Sequence, residues 1–229
     1  MLIPCIDLQR GKAVQLVHGR KRELAVQDVL GLLQRFSRYE WLHVIDLDAA
    51  MRTGHNNKLV QRLCIEAHRK YKMKVRVGGG IRTAHRALRL TKLGVEQVIV
   101  GSAAFRQGKP NSPFLRRLAA AVDKKHVVIA LDTAKGRVVT HGWRTSLSIE
   151  PTQVFEALER YCAGFLCTDV DREGTMSGAN LKWFRALRSA TKLPIIAAGG
   201  ISTKREIDAL EKLGMNSAVG MALYKNRVA

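Results

Sequence analysis

Apolar residues along this chain fall into two alternating spacings. Short runs rich in β-branched residues (Leu2–Leu8, Trp41–Leu47, Lys74–Val77, Gln97–Gly101, Val127–Asp132, Gly164–Asp169, Pro194–Ala198 and Ser217–Gly220) read as strands. Between them the apolar positions recur at helical spacing, as in Val29, Leu32, Leu33 and Phe36. That pattern predicts helices near Val26–Ser37, Leu59–Tyr71, Ala84–Leu93, Ser112–Val122, Pro151–Tyr161, Leu181–Ala190 and Lys204–Leu213. Thr83 suits a helix cap and Pro151 a first helical turn. Eight strands alternating with seven helices predict parallel pairing through right-handed crossovers, and 229 residues suit a closed (β/α)8 TIM barrel. Only MALYKNRVA follows the last strand. The last outer helix is therefore expected to be shortened or missing, with an apolar flank left open beside it.

The chain also repeats itself. GGGIR at Gly78–Arg82 returns as AGGIS at Ala198–Ser202, and VIVGSAAF at Val98–Phe105 returns as SAVGMALY at Ser217–Tyr224. VIDLDAAMRTG at Val44–Gly54 is echoed by CTDVDREGTMSG at Cys167–Gly178. Asp7 ends the first strand and Asp132 the fifth. One barrel made of two similar half-barrels, about 1–122 and 123–229, produces this pattern. A doubly wound open sheet, the competing architecture, does not.

Charge is the one unusual quantity. Lys and Arg number 39 against 19 Asp and Glu, a formal net charge of +20. The excess sits mainly in residues 1–120, with 23 basic and 8 acidic side chains, and much of it falls on helix faces such as Arg62, Arg69, Lys70 and Arg86, Arg89, Lys92. A solvated basic surface explains this, and steering of an anionic substrate is the sharper alternative. Nucleic acid is not an expected partner despite the charge, because no zinc finger, aromatic RNA-binding motif or helix-turn-helix is present. No apolar run approaches the ~20 residues of a membrane helix, and the opening MLIPCIDLQR does not read as a signal peptide. Cys5, Cys64, Cys162 and Cys167 lack CxxC or metal-ligand spacing, so free thiols in a cytoplasmic protein without a metal are expected.

Seven of the 19 acidic residues stand at or just beyond strand ends: Asp7, Asp46, Asp48, Asp132, Asp169, Asp171 and Glu173. Barrel active sites lie at that end of the strands. Asp46, Asp48, Asp169 and Asp171 are expected to cap loops and helices. Asp7 and Asp132 differ, since the repeat sets them on opposite sides of one mouth. Two carboxyls so placed can divide general acid and general base work. Glycines form a second constellation, Gly79 and Gly80 with Gly101 and Ser102 on one side, Gly199 and Gly200 with Gly220 and Met221 on the other. Backbone N–H groups at such loops cradle anions, although tight turns also demand glycine. Two matching pairs point to an elongated ligand with a phosphate at each end.

These motifs together resemble a known family. IPCIDLQRGKAV (Ile3–Val14), LHVIDLDAA (Leu42–Ala50), VGGGIR (Val77–Arg82), VIVGSAA (Val98–Ala104), ALDTAKGRV (Ala130–Val138), GW (Gly142–Trp143), TDVDREGTMSG (Thr168–Gly178) and AAGGIS (Ala197–Ser202) are similar to the isomerase family of histidine biosynthesis. That family acts on phosphoribosylformimino-5-aminoimidazole carboxamide ribotide, and the resemblance covers nearly the whole chain. It implies an Amadori rearrangement of an aminoaldose to an aminoketose, without a metal or organic cofactor, on a small bis-phosphorylated ribotide. An acid protonates the furanose oxygen, the ring opens to a protonated Schiff base, and a base removes the C2 proton. By the same resemblance Asp7 matches the base. Asp132 and Glu173 both remain open as the acid. Thr168 supports the sugar, Trp143 stacks on the imidazole, and Arg82 contacts substrate.

Three departures stand out. Glu173 replaces an aspartate, Gln15 stands where the family commonly has arginine and its sister cyclase lysine, and the C-terminus is short. Arg20, Lys21 or Arg22 is expected to compensate for the cation lacking at position 15. Alternatives are a bifunctional isomerase that also acts on phosphoribosylanthranilate, the cyclase, and a basic nucleic-acid-binding barrel. A monomer is expected rather than an obligate oligomer.

Overall fold

Eight strands close into a ring in the computed structural model, which describes residues 1–19 and 21–228. They are β1 (Leu2–Gln9), β2 (Trp41–Asp46), β3 (Lys74–Gly78), β4 (Gln97–Val100), β5 (Val127–Ala134), β6 (Gly164–Asp169), β7 (Ile195–Ala198) and β8 (Met215–Val219). Each pairs in parallel with its neighbours in chain order. Leu2 opposite Ser217 joins β1 to β8, and Val98 opposite Val127 joins β4 to β5. Around the ring lie α1 (Val29–Arg35), α2 (Asn57–Tyr71), α3 (Ala84–Lys92), α4 (Ser112–Val122), α5 (Phe155–Glu159), α6 (Leu181–Ala190), α7 (Lys204–Lys212) and the single turn α8 (Met221–Tyr224). This is the (β/α)8 barrel that the alternation predicts, with its last helix cut to one turn.

Side-chain parity along each strand builds two cores. Outward residues such as Leu8, Val44, Val77, Ile129 and Phe165 pack beneath Leu33, Leu63, Leu115, Phe155, Phe184 and Leu210 of the surrounding segments. Inward residues Ile3, Ile99, Val128, Leu166, Ile196 and Ala218 fill the barrel floor. There Arg76 stacks on Trp41, 3.6 Å from the ring centroid, and its Nε donates to Gln97 Oε1 at 2.6 Å. Short polar residues start the helices. Asp28 accepts from Gly31 N at 2.8 Å, Thr83 from Arg86 N at 3.2 Å, and Thr203 forms a reciprocal cap with Glu206.

Three sequence expectations need correction, and one hairpin strand goes beyond them. The stretch after β1 is not loop but an antiparallel hairpin, Lys12–Val17 with Lys21–Val26, so α1 starts only after Asp28. A smaller hairpin strand, Arg137–Thr140, folds back on β5. The predicted helix from Pro151 breaks into a 3-10 turn, Pro151–Gln153, and α5, and at its start Glu150 N donates to Gln153 Oε1 at 2.8 Å. The open apolar flank is not there. Tyr224 packs edge-on against Phe36, Arg35 donates to Leu223 O at 2.5 Å, and Val228 is buried. No large hydrophobic side chain is exposed among the described residues.

Candidate active site

The parity that fills the floor also fills the mouth. Ile3, Cys5 and Asp7 follow one another up the inner side of β1, and Val128, Ala130 and Asp132 do so on β5. β1 and β5 lie four places apart in a ring of eight, so the two aspartates stand on opposite walls. One cavity is lined by Asp7, Gly79, Gly80, Arg82, Gly101, Ser102, Asp132, Trp143, Thr168, Glu173 and Gly220. Gly199, Gly200 and Met221 do not line it. A side chain at Gly199 would overlap the Asp169 carbonyl oxygen, and one at Gly79 would overlap the Asp46 carbonyl. At the seventh strand the glycine thus serves close backbone packing, as at the third, but only the third-strand pair also reaches the cavity.

The two halves use the same loop construction. Arg10–Gly11 and Lys135–Gly136 turn their hairpins with φ of 50° and 74°, and of 48° and 75°. Arg10 N donates to Asp48 Oδ2 and Lys135 N to Asp171 Oδ2, each at 2.6 Å. Asp46 accepts from Ala49 N at 3.1 Å and Asn56 N at 2.8 Å, while Asp169 accepts from Asn180 Nδ2 at 3.2 Å. These four acids hold loops together, as the sequence suggested.

Glu173 reaches the site because the turn after β6 packs on the first hairpin. His18 N donates to the Glu173 carbonyl at 3.0 Å. Gly174, at φ 74°, comes so close that any side chain would overlap the Leu16 carbonyl oxygen. Burial pushes the Glu173 carboxyl up to about 8, and the charges of Asp7, Asp132 and Asp169 add to the effect. Burial alone raises Asp7 to about 7. Asp132 is also raised by burial, but hydrogen bonds from Trp143 and Thr168 hold it back. Trp143 Nε1 donates to Asp132 Oδ2 at 2.9 Å. Ser102 Oγ accepts from His141 N at 2.7 Å, tying the β4 loop to the neighbouring Trp143 loop. Arg82 donates to the carbonyls of Ala49 and Ala50 at 3.0 and 2.9 Å. The arrangement can offer a proton, take one, and hold anions by backbone and guanidinium.

Sequence reasoning missed Cys5, Leu16, Gly19, His43 and Met51 as lining residues, and singled out Gln15 only as a departure from a family pattern. Inward parity on β1 and β2 marks Cys5 and His43. Residues 15–19 could be placed only by recognising the hairpin. Lys21 and Arg22 are exposed on its outer strand and line no part of the cavity, so they do not replace a cation at position 15. Arg20 lies outside the described residues. Among the described residues no cluster of three His, Cys, Asp or Glu side chains is arranged to hold a metal ion.

Known proteins resemble this chain over its whole length. The family model described as histidine biosynthesis protein matches residues 1–229. A Methanocaldococcus jannaschii protein is 36% identical over 233 residues, covering 100% of this chain and 95% of its own. A Methanosphaera stadtmanae protein is 32% identical with the same coverage, and one from Natronomonas pharaonis is 37% identical, covering 98% and 92%. All three are named as the isomerase of an imidazole-4-carboxamide carrying a phosphoribosyl and a phosphoribosylamino group. With a full-length family match and relatives aligned from end to end, this chain belongs to the histidine biosynthesis protein family.

Proposed function

We propose that this protein is the aldose–ketose isomerase that rearranges the bis-phosphorylated imidazole carboxamide aminoaldose named for its relatives. The observation that carries the chemistry is the pairing, in a single barrel mouth, of Asp7, raised by burial to about 7, with Glu173, raised to about 8. Glu173 is protonated at pH 7 and donates to the furanose ring oxygen, which opens the ring to a protonated Schiff base. Ionised Asp7 takes the proton from C2, and the resulting enolamine becomes the ketone as C1 gains a proton and the C2 hydroxyl loses one, so that both carboxyls return to their starting protonation states. Electrons only move within the substrate, so the overall reaction is an isomerisation. Between the two candidates for the acid, these surroundings favour Glu173, because burial raises Asp132 too but hydrogen bonds from Trp143 and Thr168 offset part of that rise.

The ligand spans the mouth. One phosphate lies against Gly79, Gly80, Arg82, Gly101 and Ser102, the other beside Gly220, and Trp143 meets the imidazole. The matched turns and aspartate contacts support reading the chain as one barrel of two half-barrels, about 1–122 and 123–229. A cytoplasmic monomer is part of the same proposal. No observation favours the second activity on phosphoribosylanthranilate. The purified protein incubated with the bis-phosphorylated aminoaldose should yield the aminoketose isomer with no added metal or cofactor. A chain that is folded and leaves the substrate unchanged would overturn the reading.

A further inference from the structure

The positive charge is not spread evenly around the barrel. The consecutive outer helices α2, α3 and α4 carry nine Lys and Arg against a single acid, Glu66. Their counterparts in the second half, α6, α7 and α8, carry six against three. Among the described residues the only ion pair on α2, α3 or α4 joins Arg62 to Glu66. The helix dipole accounts for the last-turn cations Arg69, Lys70, Arg89 and Lys92. It does not account for Arg86 in a first turn, for Arg116 and Arg117 in mid-helix, or for first turns without an acid on all three helices. An uncompensated face of one sign opposes folding by self-repulsion, so a bound anion would relieve it. Between α2 and α3 lies an open depression lined by His68, Arg69, Lys72 and Lys92 and by no carboxylate. Lys72 and Gly94 of its lining precede β3 and β4, so it sits toward the strand starts, at the end of the barrel opposite the substrate cavity. This charge is not aimed at the mouth.

We propose that the face formed by α2, α3 and α4 binds the phosphodiester backbone of a nucleic-acid duplex without reading its sequence. Backbone phosphates need only exposed cations, and the release of condensed counterions drives their binding. The motifs missing from the sequence are those that read bases, which this mode does not use. Two observations favour a duplex. No large hydrophobic side chain is exposed among the described residues, so the face lacks the apolar anchor on which a protein partner would centre. Of the aromatic residues on these helices, Phe114 is buried and Tyr71 is half-buried, with the Lys70 ammonium 5.1 Å from its ring centroid. No bare ring is left on which the bases of a single strand could stack.

The test is fluorescence anisotropy of a labelled DNA duplex of about two helical turns titrated with the full-length protein. Binding should weaken about 100-fold between about 50 and 200 mM salt, as about four phosphate contacts require. Arg69→Gln, Arg89→Gln and Lys92→Gln combined should weaken binding at the lower salt by at least about 100-fold and flatten the salt dependence. Lys204→Gln, Arg205→Gln and Lys212→Gln combined remove the same charge from exposed positions on α7, the repeat counterpart of α3. That variant should keep its affinity within about threefold. Arg116→Gln with Arg117→Gln, on α4 alone, supplies a second variant of the basic face, with a loss of about 10-fold expected. Thermal melts confirm that each variant is folded, and isomerase kcat/KM should be unchanged in all three. Four outcomes would overturn the assignment. They are no salt-dependent binding by wild type, equal losses in the α3 and α7 variants, full affinity in a folded α4 variant, and tighter binding of polyglutamate than of the duplex, which would mark an acidic protein as the partner.

Discussion

Asp7 and Asp132 occupy equivalent places in the two halves of the barrel, and their surroundings are not equivalent. Each ends the inward face of the first strand of its half, ahead of a hairpin whose turn has nearly the same dihedral angles. Yet burial alone acts on Asp7, which is raised to about 7, whereas Asp132 is tied to Trp143 Nε1 at 2.9 Å and to Thr168. A repeated backbone thus delivers two carboxyls to one mouth, and the side chains around them assign different work. The untied one is free to take a proton. The tied one accepts a hydrogen bond from Trp143 and so anchors the loop that carries it.

Substituting the pair breaks or sharpens that contrast. Asp7→Asn should lower kcat by about 10^3-fold, the usual worth of a general base, with the fold intact by thermal melt. Asp132→Asn keeps an acceptor for Trp143 and Thr168 but loses the charge, so a fall of about 10- to 100-fold is expected. Steady-state kinetics on both variants check this. Equal losses would mean that the halves do the same job.

The smallest effect concerns stability. Asp7 and Glu173 have folded-state pKa values raised to about 7 and about 8, so between pH 4 and 8 the folded chain holds protons that the unfolded chain has released. These two groups therefore favour the folded state least above pH 8. Glu173→Gln, neutral throughout, should melt about 2–6 °C above wild type at pH 9, with the gap closing near pH 5. Scanning calorimetry at the two pH values measures it, and a gap that does not depend on pH would contradict the raised carboxyl.

Much of this was legible in the sequence because it rests on periodicity. Each barrel strand is buried on both faces and reads as a short apolar run, and the helices show their stripes. Repeated glycines marked the turns, and the strand-end aspartates pointed to the mouth. Contacts between distant segments were not legible. The hairpin at Lys12–Val26 mixes charged and apolar residues too finely to stand out, yet it supports Glu173 through His18 and Gly174 and brings Gln15 over Gly220. The flank beside α8 looked bare because the sequence shows how few residues remain there. It does not show that Tyr224 folds back against Phe36 and that Val228 is buried. Gly199 and Gly200 matched their repeat partners by letter, but lining a cavity depends on what packs above them.

The central claim is that an ionised Asp7 and a protonated Glu173 act together in one cavity. The pH dependence of kcat/KM tests it most directly, since it reports the free enzyme. Activity should rise as Asp7 ionises near pH 7 and fall as Glu173 loses its proton near pH 8, giving a narrow bell, and Glu173→Gln should remove the alkaline limb from its residual rate. A profile that is flat from pH 5 to 9, or an alkaline limb that survives in Glu173→Gln, would contradict it.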